Sequence, residues 1–111
     1  MIDLDKMAKE HEKLFPKATL ESQVWKLEEE IQEWHNALGR ENERQEVADI
    51  IIVCGGLTRW CPSVAAVVVS LYFRYTHIKE IEQEVERKWQ INLKRKWEWN
   101  GKTYHHVEEN S

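Results

Sequence analysis

The sequence has little of the chemistry that builds strand-rich or disulfide-stapled folds. Its 111 residues include only four glycines, two prolines and two cysteines. Scarce glycine and proline leave few turn signals, which argues against an all-β fold. Cys54 lies in an apolar run and Cys61 directly precedes Pro62, and the sequence has no CxxC pair. We therefore expect two reduced, mostly buried thiols, with a bridge between them as the less favoured alternative.

The sequence also lacks an uninterrupted apolar run of membrane-spanning length. Its most hydrophobic segment, residues 49–73, is divided by Arg59 and Pro62 into runs that are too short to cross a bilayer. The first 15 residues carry acidic side chains and no apolar core of signal-peptide length. These absences predict a cytoplasmic protein with no membrane partner.

The sequence has fewer positively charged than negatively charged residues. The 20 acidic residues outnumber the 16 lysines and arginines, which gives a formal net charge of −4. A protein that coats nucleic acid normally needs a basic surface, so a nucleic acid polymer is not the expected partner. A small anionic substrate stays compatible with this balance, because a metal ion or a local basic cluster can reverse the field.

What the sequence does contain is ample material for a folded core. The chain is 41% hydrophobic and 32% charged and has six tryptophans, a composition typical of a globular domain. The length suits a single domain over residues 1–111, and we find no internal repeat or linker. A core this small is marginal by itself, and oligomerisation is one common remedy.

Apolar residues recur at helical spacing through the first half of the chain. A first amphipathic helix is predicted over residues 3–14, and Pro16 ends or turns it. Thr19 is an acceptable N-cap for a second helix, whose periodic apolar residues span positions 20–38 before Gly39 stops it. The residues expected to hold this second helix to the core are Leu27, Ile31 and Trp34.

The following stretch is expected to be helical as well. A third helix, from about residue 42 to about residue 59, is apolar nearly all round in its later half, as a buried helix requires. The pair Gly55–Gly56 costs roughly 1 kcal/mol per residue relative to alanine, and close approach of another helix would explain it. Pro62 suits the first turn of a further helical stretch that runs to Trp97, with a break or bend near residues 75–77.

The last residues form a tail of different character. Residues 98–111 contain an Asn-Gly turn signal at Asn100 and are expected to be irregular or extended. His105 and His106 are neighbours in this tail, and on an extended segment their side chains would point to opposite faces, so they are not expected to share a metal ion. The predicted fold is all-α, a bundle of four to five helices with an N-terminal helix and turn over residues 1–18.

Two pairs of acids on successive helices carry the strongest functional signal. Glu30 and Glu33 are three residues apart and share a helix face, as do Glu46 and Asp49. A short connector makes the two helices antiparallel neighbours, so that the four carboxylates can face one another. Clustered carboxylates repel, and a hard cation such as Mg²⁺, with Mn²⁺ as a substitute, removes that penalty. Because neither ExxH nor HExxH occurs, iron and zinc are less favoured.

A simpler interpretation is that these acids are only the solvated face of a surface helix. Spacing alone favours it for Glu28 through Glu33. Asp49, however, is followed at once by the apolar run IIIVCGG on a helix that must be largely buried. A carboxylate that enters a buried helix without a partner is costly, so metal binding is the better interpretation of the four acids together.

The same residues carry a resemblance to a known family. EExxE at residues 29–33, then twelve residues, then ExxD at residues 46–49 resembles the signature of the MazG-like all-α nucleoside triphosphate pyrophosphohydrolases. A later pattern of that family, KxxxNxxR, is matched by Lys88, Asn92 and Arg95. The resemblance spans roughly residues 19–97, and the gap between the acidic motifs is at the short end of the family's range.

The resemblance implies a site and a reaction. Mg²⁺ would be held by Glu30, Glu33, Glu46 and Asp49, while Glu29 would support these ligands or orient the attacking water. The chain would cleave nucleoside triphosphates, deoxynucleotides among them, between the α- and β-phosphates, for house-cleaning of the nucleotide pool. It would assemble as a homodimer or homotetramer, and the apolar helix at residues 63–74 is the expected packing surface.

Substrate contacts are predicted on both long helices. Lys88, Asn92 and Arg95 form a single stripe that can face a phosphate group, although an ordinary basic face near a helix C-terminus is the alternative. Further candidates on the acid-bearing helix are Gln23 and Lys26, and Trp34 is the candidate for contact with a base.

Two alternative functions stay open at this point. An all-α dUTP pyrophosphatase shares the acidic helices, and the identity of the base cannot be read from these motifs. In a different class, a helical interaction or regulatory module would keep the acids only as a charged face.

Overall fold

The fold is described by a computed structural model covering residues 2–74 and 78–107. Within these residues the chain forms five helices and two short strands. The expected all-α bundle with an extended tail is therefore confirmed at the level of fold class. The elements are α1 (Leu4–Leu14), α2 (Leu20–Asn36), α3 (Glu43–Leu57), α4 (Pro62–Arg74), α5 (Ile78–Lys94), β1 (Trp97–Trp99) and β2 (Tyr104–His106).

Helix α3 is the centre of the molecule and packs against α1, α2, α4 and α5. Ile50 and Ile51 are fully buried on it, and Val47 and Leu57 are nearly so. Each such aliphatic side chain contributes roughly 1.5–3 kcal/mol on burial, so α3 supplies a large share of the core. The prediction that the later half of this helix is buried nearly all round is confirmed.

Local capping sets the ends of the first two helices. Asp3 accepts a hydrogen bond from the backbone N–H of Lys6 at the start of α1, over 3.0 Å. Thr19 and Ser22 form a reciprocal capping box at the start of α2. Gly39 follows the end of α2 with a φ of 77°, a conformation that glycine adopts without strain. The predicted N-cap and stop signals are confirmed.

The face of α2 that meets the core differs from the predicted one. Leu27 and Trp34 pack against the core, but Ile31 is 37% exposed, so its prediction as a core residue was wrong. Ser22 and Gln23 are buried instead. Helical periodicity marks an apolar stripe but cannot show which neighbour covers it, and here α3 covers a more polar face.

The C-terminal region also departs from expectation. The predicted helix to Trp97 was too long, since α5 ends at Lys94 and Trp97 opens a hairpin in which it pairs with His106. Asn100 Oδ1 accepts hydrogen bonds from the next N–H groups, and Gly101 has a φ of 92°, which makes the turn. The predicted break near residues 75–77 lies outside the described residues.

The remaining predictions concern the two cysteines and the possibility of a membrane span. Cys54 is buried and Cys61 is partly exposed, and both are free thiols, so the bridge is absent. In the ranges that the structure describes, none of the helices combines the length and hydropathy needed to span a bilayer.

The glycine pair in α3 lets α1 approach closely. A Cβ built on Gly56 would lie 2.5 Å from Nε2 of Gln23 and 2.5 Å from the ring of His11. A Cβ on Gly55 would lie 2.9 Å from Cε and 3.0 Å from Cβ of Met7. The close approach expected from the sequence is therefore confirmed, and it positions His11 and Gln23 against α3.

Gly56→Ala should destabilise the protein by about 1–3 kcal/mol, because the new methyl group forces His11 and Gln23 to move. Urea denaturation measures the change in the free energy of unfolding. Gly55→Ala is the matched control and should cost less, since its contacts are longer. At a helix site with free space, glycine to alanine gains about 1 kcal/mol, so a stabilised Gly56→Ala would refute the close approach.

Candidate functional site

Three of the four predicted metal-ligating acids lie together where α2 packs on α3. Carboxylate oxygens of Glu30, Glu33 and Glu46 all lie within 4.8 Å of one another. Glu30 and Glu33 are one helical turn apart on α2, and Glu46 lies in the first turn of α3. Glu30 and Glu46 are half-buried, whereas Glu33 is exposed. The cluster is therefore partly shielded from solvent at Glu30 and Glu46 and open to solvent at Glu33.

The sheltered carboxylates are not satisfied by their protein surroundings. Among the described residues, the Oε2 atoms of Glu30 and Glu46 are buried and have no hydrogen-bond partner. An ionised oxygen that loses water and finds no donor is costly. This is an electrostatic deficit that a positively charged group could remove.

The pKa values of the cluster report the same deficit. Burial, followed by the charges of Asp49 and Glu33, raises the pKa of Glu30 to about 8. Burial is also the largest cause of the raised pKa of Glu46, with Asp49 and Glu33 adding to it. At neutral pH the cluster without a cation therefore favours a proton on Glu30, which a bound metal ion would have to displace.

Asp49, the fourth predicted ligand, lies beside the cluster and has its own partner. Nζ of Lys88 donates to both carboxylate oxygens of Asp49 over 2.9 Å, from α5 to α3. Burial raises the pKa of Asp49, and the hydrogen bond and charge of Lys88 oppose that rise. Lys88 of the basic stripe thus neutralises one of the four acids, whereas within residues 2–74 and 78–107 no lysine or arginine forms an ion pair with Glu30, Glu33 or Glu46.

The donor set of this cluster fits a hard divalent cation. All of its donor atoms are carboxylate oxygens, which Mg²⁺ and Mn²⁺ prefer as ligands. The two buried oxygens have no internal hydrogen bond to give up, and a cation between the carboxylates would cancel their repulsion. The donor atoms of the cluster are therefore compatible with a metal ion.

A cavity of about 320 Å³ adjoins the acids. Of the cluster, Glu30 lines it together with the neighbouring Asp49, whereas Glu33 and Glu46 are not among the lining residues. Five predicted substrate contacts also line it, from α2, from α5 and from the residue after α5: Gln23, Lys26, Lys88, Asn92 and Arg95. The structure therefore brings together residues that the sequence places up to 72 positions apart along the chain.

Two predicted site residues are placed elsewhere. Glu29 is exposed and forms an ion pair with Lys26 at 3.4 Å, at the rim rather than within the cluster. Trp34 packs edge-on against Tyr72, with ring centroids 5.2 Å apart, and is missing from the described residues that line the cavity. The structure thus does not bring Trp34 to the other candidate substrate contacts.

The cavity includes residues that were not proposed from the sequence. His11 is buried on its wall, and burial, assisted by the charge of Arg59, lowers the pKa of His11 to about 3. Nη1 of Arg59 lies 3.0 Å from Nδ1 of His11 and donates to the carbonyl oxygen of Phe15. The sequence signal for His11 was only its place on the apolar face of α1, which does not distinguish a core histidine from a site residue.

Aromatic residues form the rest of the wall. Phe15 from the end of α1 meets Trp97 and Tyr104 from the hairpin, with ring centroids 5.1 and 4.9 Å apart. The period-2 pattern of aromatics in the tail was available in the sequence. Their docking against Phe15 was not, because that contact joins segments more than 80 residues apart.

In the comparisons with known proteins, no family model, no curated protein and no solved structure matches this chain. A function for the chain must therefore be inferred from its residues and from the geometry of the cluster and cavity.

Millimolar Mg²⁺ should raise the melting temperature of the protein, because a ligand that binds only the folded state stabilises it. The gain is about 2.7 kcal/mol at a hundredfold excess over the dissociation constant. In Glu46→Gln the metal-free protein should melt higher, since repulsion is relieved, and the response to Mg²⁺ should be lost. Differential scanning calorimetry with and without Mg²⁺ measures both effects.

Glu28→Gln is the matched control, because Glu28 is an exposed acid on the same helix outside the cluster. It should keep the full response to Mg²⁺. Equal responses in Glu46→Gln and Glu28→Gln, or no response in the unmodified protein, would rule out a metal site at this cluster.

Proposed function

We propose that the protein is a Mg²⁺-dependent nucleotide pyrophosphohydrolase. It cleaves nucleoside triphosphates between the α- and β-phosphates and releases the monophosphate and pyrophosphate. One observation carries the proposal: a carboxylate cluster with two buried, unpartnered oxygens adjoins, through Glu30, a cavity lined by Lys26, Lys88 and Arg95. A cation site next to several basic donors suits a ligand that itself carries several negative charges.

Glu30, Glu33 and Glu46 would hold the ion, and Asp49 would join them once Lys88 releases it. When bound, Mg²⁺ supplies charge neutralisation for the phosphate oxygens of the substrate. The side chains of the chain then position the substrate, which is where most of the rate of phosphoryl transfer arises. Glu29, at the rim, is available to orient the attacking water.

Lys88 has two roles in this proposal. In the absence of ligand its ammonium group neutralises Asp49, with both carboxylate oxygens 2.9 Å away. When a phosphate enters the cavity, Lys88 can exchange one oxyanion for another without leaving a buried charge unpaired. Lys26, which is ion-paired with Glu29 at the rim, can make the same exchange.

A purely structural role for the acids, without metal binding or catalysis, explains fewer of these observations. It accounts for the exposure of Glu33 and Glu29, as expected of a charged interaction surface. It leaves the buried oxygens of Glu30 and Glu46 without a compensating group. No observation selects a uracil base, so the dUTP-specific alternative stays a narrower form of the same proposal.

The enzyme would act on the nucleotide pool of the cytoplasm and work as a homo-oligomer. Val64, Val67 and Leu71 form one exposed stripe on α4, with 55%, 59% and 48% of their surface accessible. Spacings of three and four residues put them on the same side of the helix. A second copy of the chain that packs on this stripe would remove it from water and enlarge a small core.

Incubation with a panel of deoxynucleoside and ribonucleoside triphosphates and Mg²⁺ should release pyrophosphate. Glu33→Gln and Asp49→Asn should lower kcat by at least a hundredfold, because each removes a charge that holds the ion. Lys88→Met should mainly raise KM, because it removes a phosphate donor. A coupled pyrophosphate assay measures these changes, with Glu28→Gln as the active control.

Release of orthophosphate instead of pyrophosphate would contradict cleavage between the α- and β-phosphates. Normal turnover by either Glu33→Gln or Asp49→Asn would contradict the assignment of the metal ligands.

Val67→Glu should shift the protein from dimer or tetramer to monomer, because a charge in a buried interface is costly. Ala66→Glu introduces the same side chain at the neighbouring exposed position, about 100° further round the helix, and should leave the assembly intact. Light scattering coupled to size-exclusion chromatography reports the mass. A monomeric unmodified protein at micromolar concentration would show that this stripe is not a self-association surface.

A further inference from the structure

The cavity beside the acids has two chemically different ends. Lys26, Glu30, Asp49 and Lys88 line it where α2, α3 and α5 meet. At the other end it is lined by aromatic rings, contributed by the end of α1 and by the C-terminal hairpin: Phe15, Trp97, Tyr104 and His106. A ligand that fills the cavity must therefore be anionic at one end and flat or apolar at the other.

The distance between these two ends follows from the spacing of residues along α2 and α5. On α5, Lys88 contacts Asp49, and Arg95 lies seven residues further on, directly after the end of the helix and next to the hairpin. On α2, Glu30 belongs to the acid cluster, and Gln23 lies seven residues earlier, against His11. Seven residues of helix span about 10 Å. This length is comparable with the reach of a nucleotide from its β-phosphate to its base.

The hairpin directs its aromatic side chains to one face. In the antiparallel register, Trp97 is opposite His106 and Trp99 is opposite Tyr104. Because side chains alternate along a strand, these four rings share a face, and Glu98 and its partner His105 start from the opposite one. His105 nevertheless reaches the lining of the cavity, whereas Glu98 is not among the lining residues. Trp97 and His106 contact each other with ring centroids 5.9 Å apart. The face is thus a continuous aromatic surface.

This aromatic surface is anchored before any ligand arrives. The hydroxyl of Tyr104 accepts a hydrogen bond from the backbone N–H of Lys17 over 2.9 Å. Nε1 of Trp97 donates to the carbonyl oxygen of Asn92 over 2.9 Å, which ties the hairpin to α5. His106 remains exposed at the outer edge. A preformed wall loses little conformational entropy when a flat ligand stacks on it.

We propose that the aromatic face of the C-terminal hairpin binds the base of the nucleotide. This inference rests on the proposed function for the identity of the ligand. It assigns recognition of the base to the hairpin instead of to Trp34 on α2. The base stacks on the ring of Trp97 and meets His106 at its edge, because these two rings are inclined at 74° to each other, while the phosphates extend toward Lys88 and the acid cluster. Asn92 and Thr103 lie on the same lining and offer hydrogen-bonding groups to the edge of the base.

Binding, rather than turnover, tests this assignment most directly. Isothermal titration calorimetry would measure the affinity for the four deoxynucleoside monophosphates and, separately, for inorganic pyrophosphate, each in the presence of Mg²⁺. The informative variants are Trp97→Leu and His106→Ala. Glu98→Ala is the matched control, because Glu98 is exposed on the opposite face of the same hairpin.

Trp97→Leu should weaken binding of the monophosphates by about 5- to 100-fold, the range expected when an aromatic stacking partner is lost. His106→Ala should weaken it less, and Glu98→Ala should not change it. Affinity for pyrophosphate should be unaffected in all three. Because Trp97 also contacts the core, thermal melts are needed to show that Trp97→Leu is folded. If it is not folded, the affinity of His106→Ala for the monophosphates tests the base site.

Wild-type affinity for the monophosphates in both informative variants would overturn the inference, as would an equal loss of pyrophosphate binding. The two proposals can fail separately. Absence of hydrolysis with intact, Trp97-dependent monophosphate binding would refute the enzyme and leave the base site. Normal hydrolysis with unchanged KM in both variants would refute the base site and leave the enzyme.

Discussion

The contact between α2 and α3 holds acidic side chains where a helix pair normally places apolar ones. Further along α3, Ile50 and Ile51 fill the core in the usual way. Near its start, Glu46 meets Glu30 and Glu33, and two carboxylate oxygens are buried without a donor. Like charges in a partly dry site repel, and the raised pKa of Glu30 reflects first its burial and then the repulsion from Asp49 and Glu33. A fold that retains such an arrangement has a local instability that a cation can relieve.

Helix α5 offsets only part of this charge. Lys88 neutralises Asp49 with two hydrogen bonds, and this pair links α3 to α5 across the cavity. The remaining three acids stay close to one another. The site is therefore divided into a neutral pair and a negative cluster, and a ligand that brings both a cation and phosphate groups complements both parts. The same pairing keeps Lys88 from being a buried, unsatisfied charge before a ligand arrives.

The hairpin closes the cavity at the end opposite the acids, so the two ends of the cavity differ in chemistry. Tyr104 is fixed by a hydrogen bond to the turn between α1 and α2, and Trp97 by one to α5, so the short strands do not depend on their own pairing alone. A two-stranded hairpin is marginal in isolation, and its packing on Phe15 is what makes it a stable wall. The buried network of Arg59, His11 and Gln23 lies behind that wall and holds α1 against α3 through the space left by Gly56.

Much of the helical framework was predictable because its signals are local. Thr19 caps the backbone within one turn, Gly39 takes a positive φ after the helix, and the apolar run after Asp49 leaves no polar face for solvent. The site was predictable in part for the same reason, since spacings of three, four and seven residues place side chains on one helix face whatever the surroundings. This is why Glu30 with Glu33, and Lys88 with Asn92 and Arg95, were recognised from their order in the chain.

Other features depend on contacts between distant segments, for which the sequence carries no local signal. Ile31 belongs to the apolar stripe of α2, yet the orientation of that helix on α3 leaves it exposed and buries Gln23 instead. Asp49 was expected within the acid cluster, and only the position of α5 pairs it with Lys88. Helical spacing and capping within one or two turns were determined by the sequence itself, because their energies come from neighbouring residues. The tertiary structure decided which acids share a partner and which aromatic rings close the cavity, because those energies arise only when separate elements pack together.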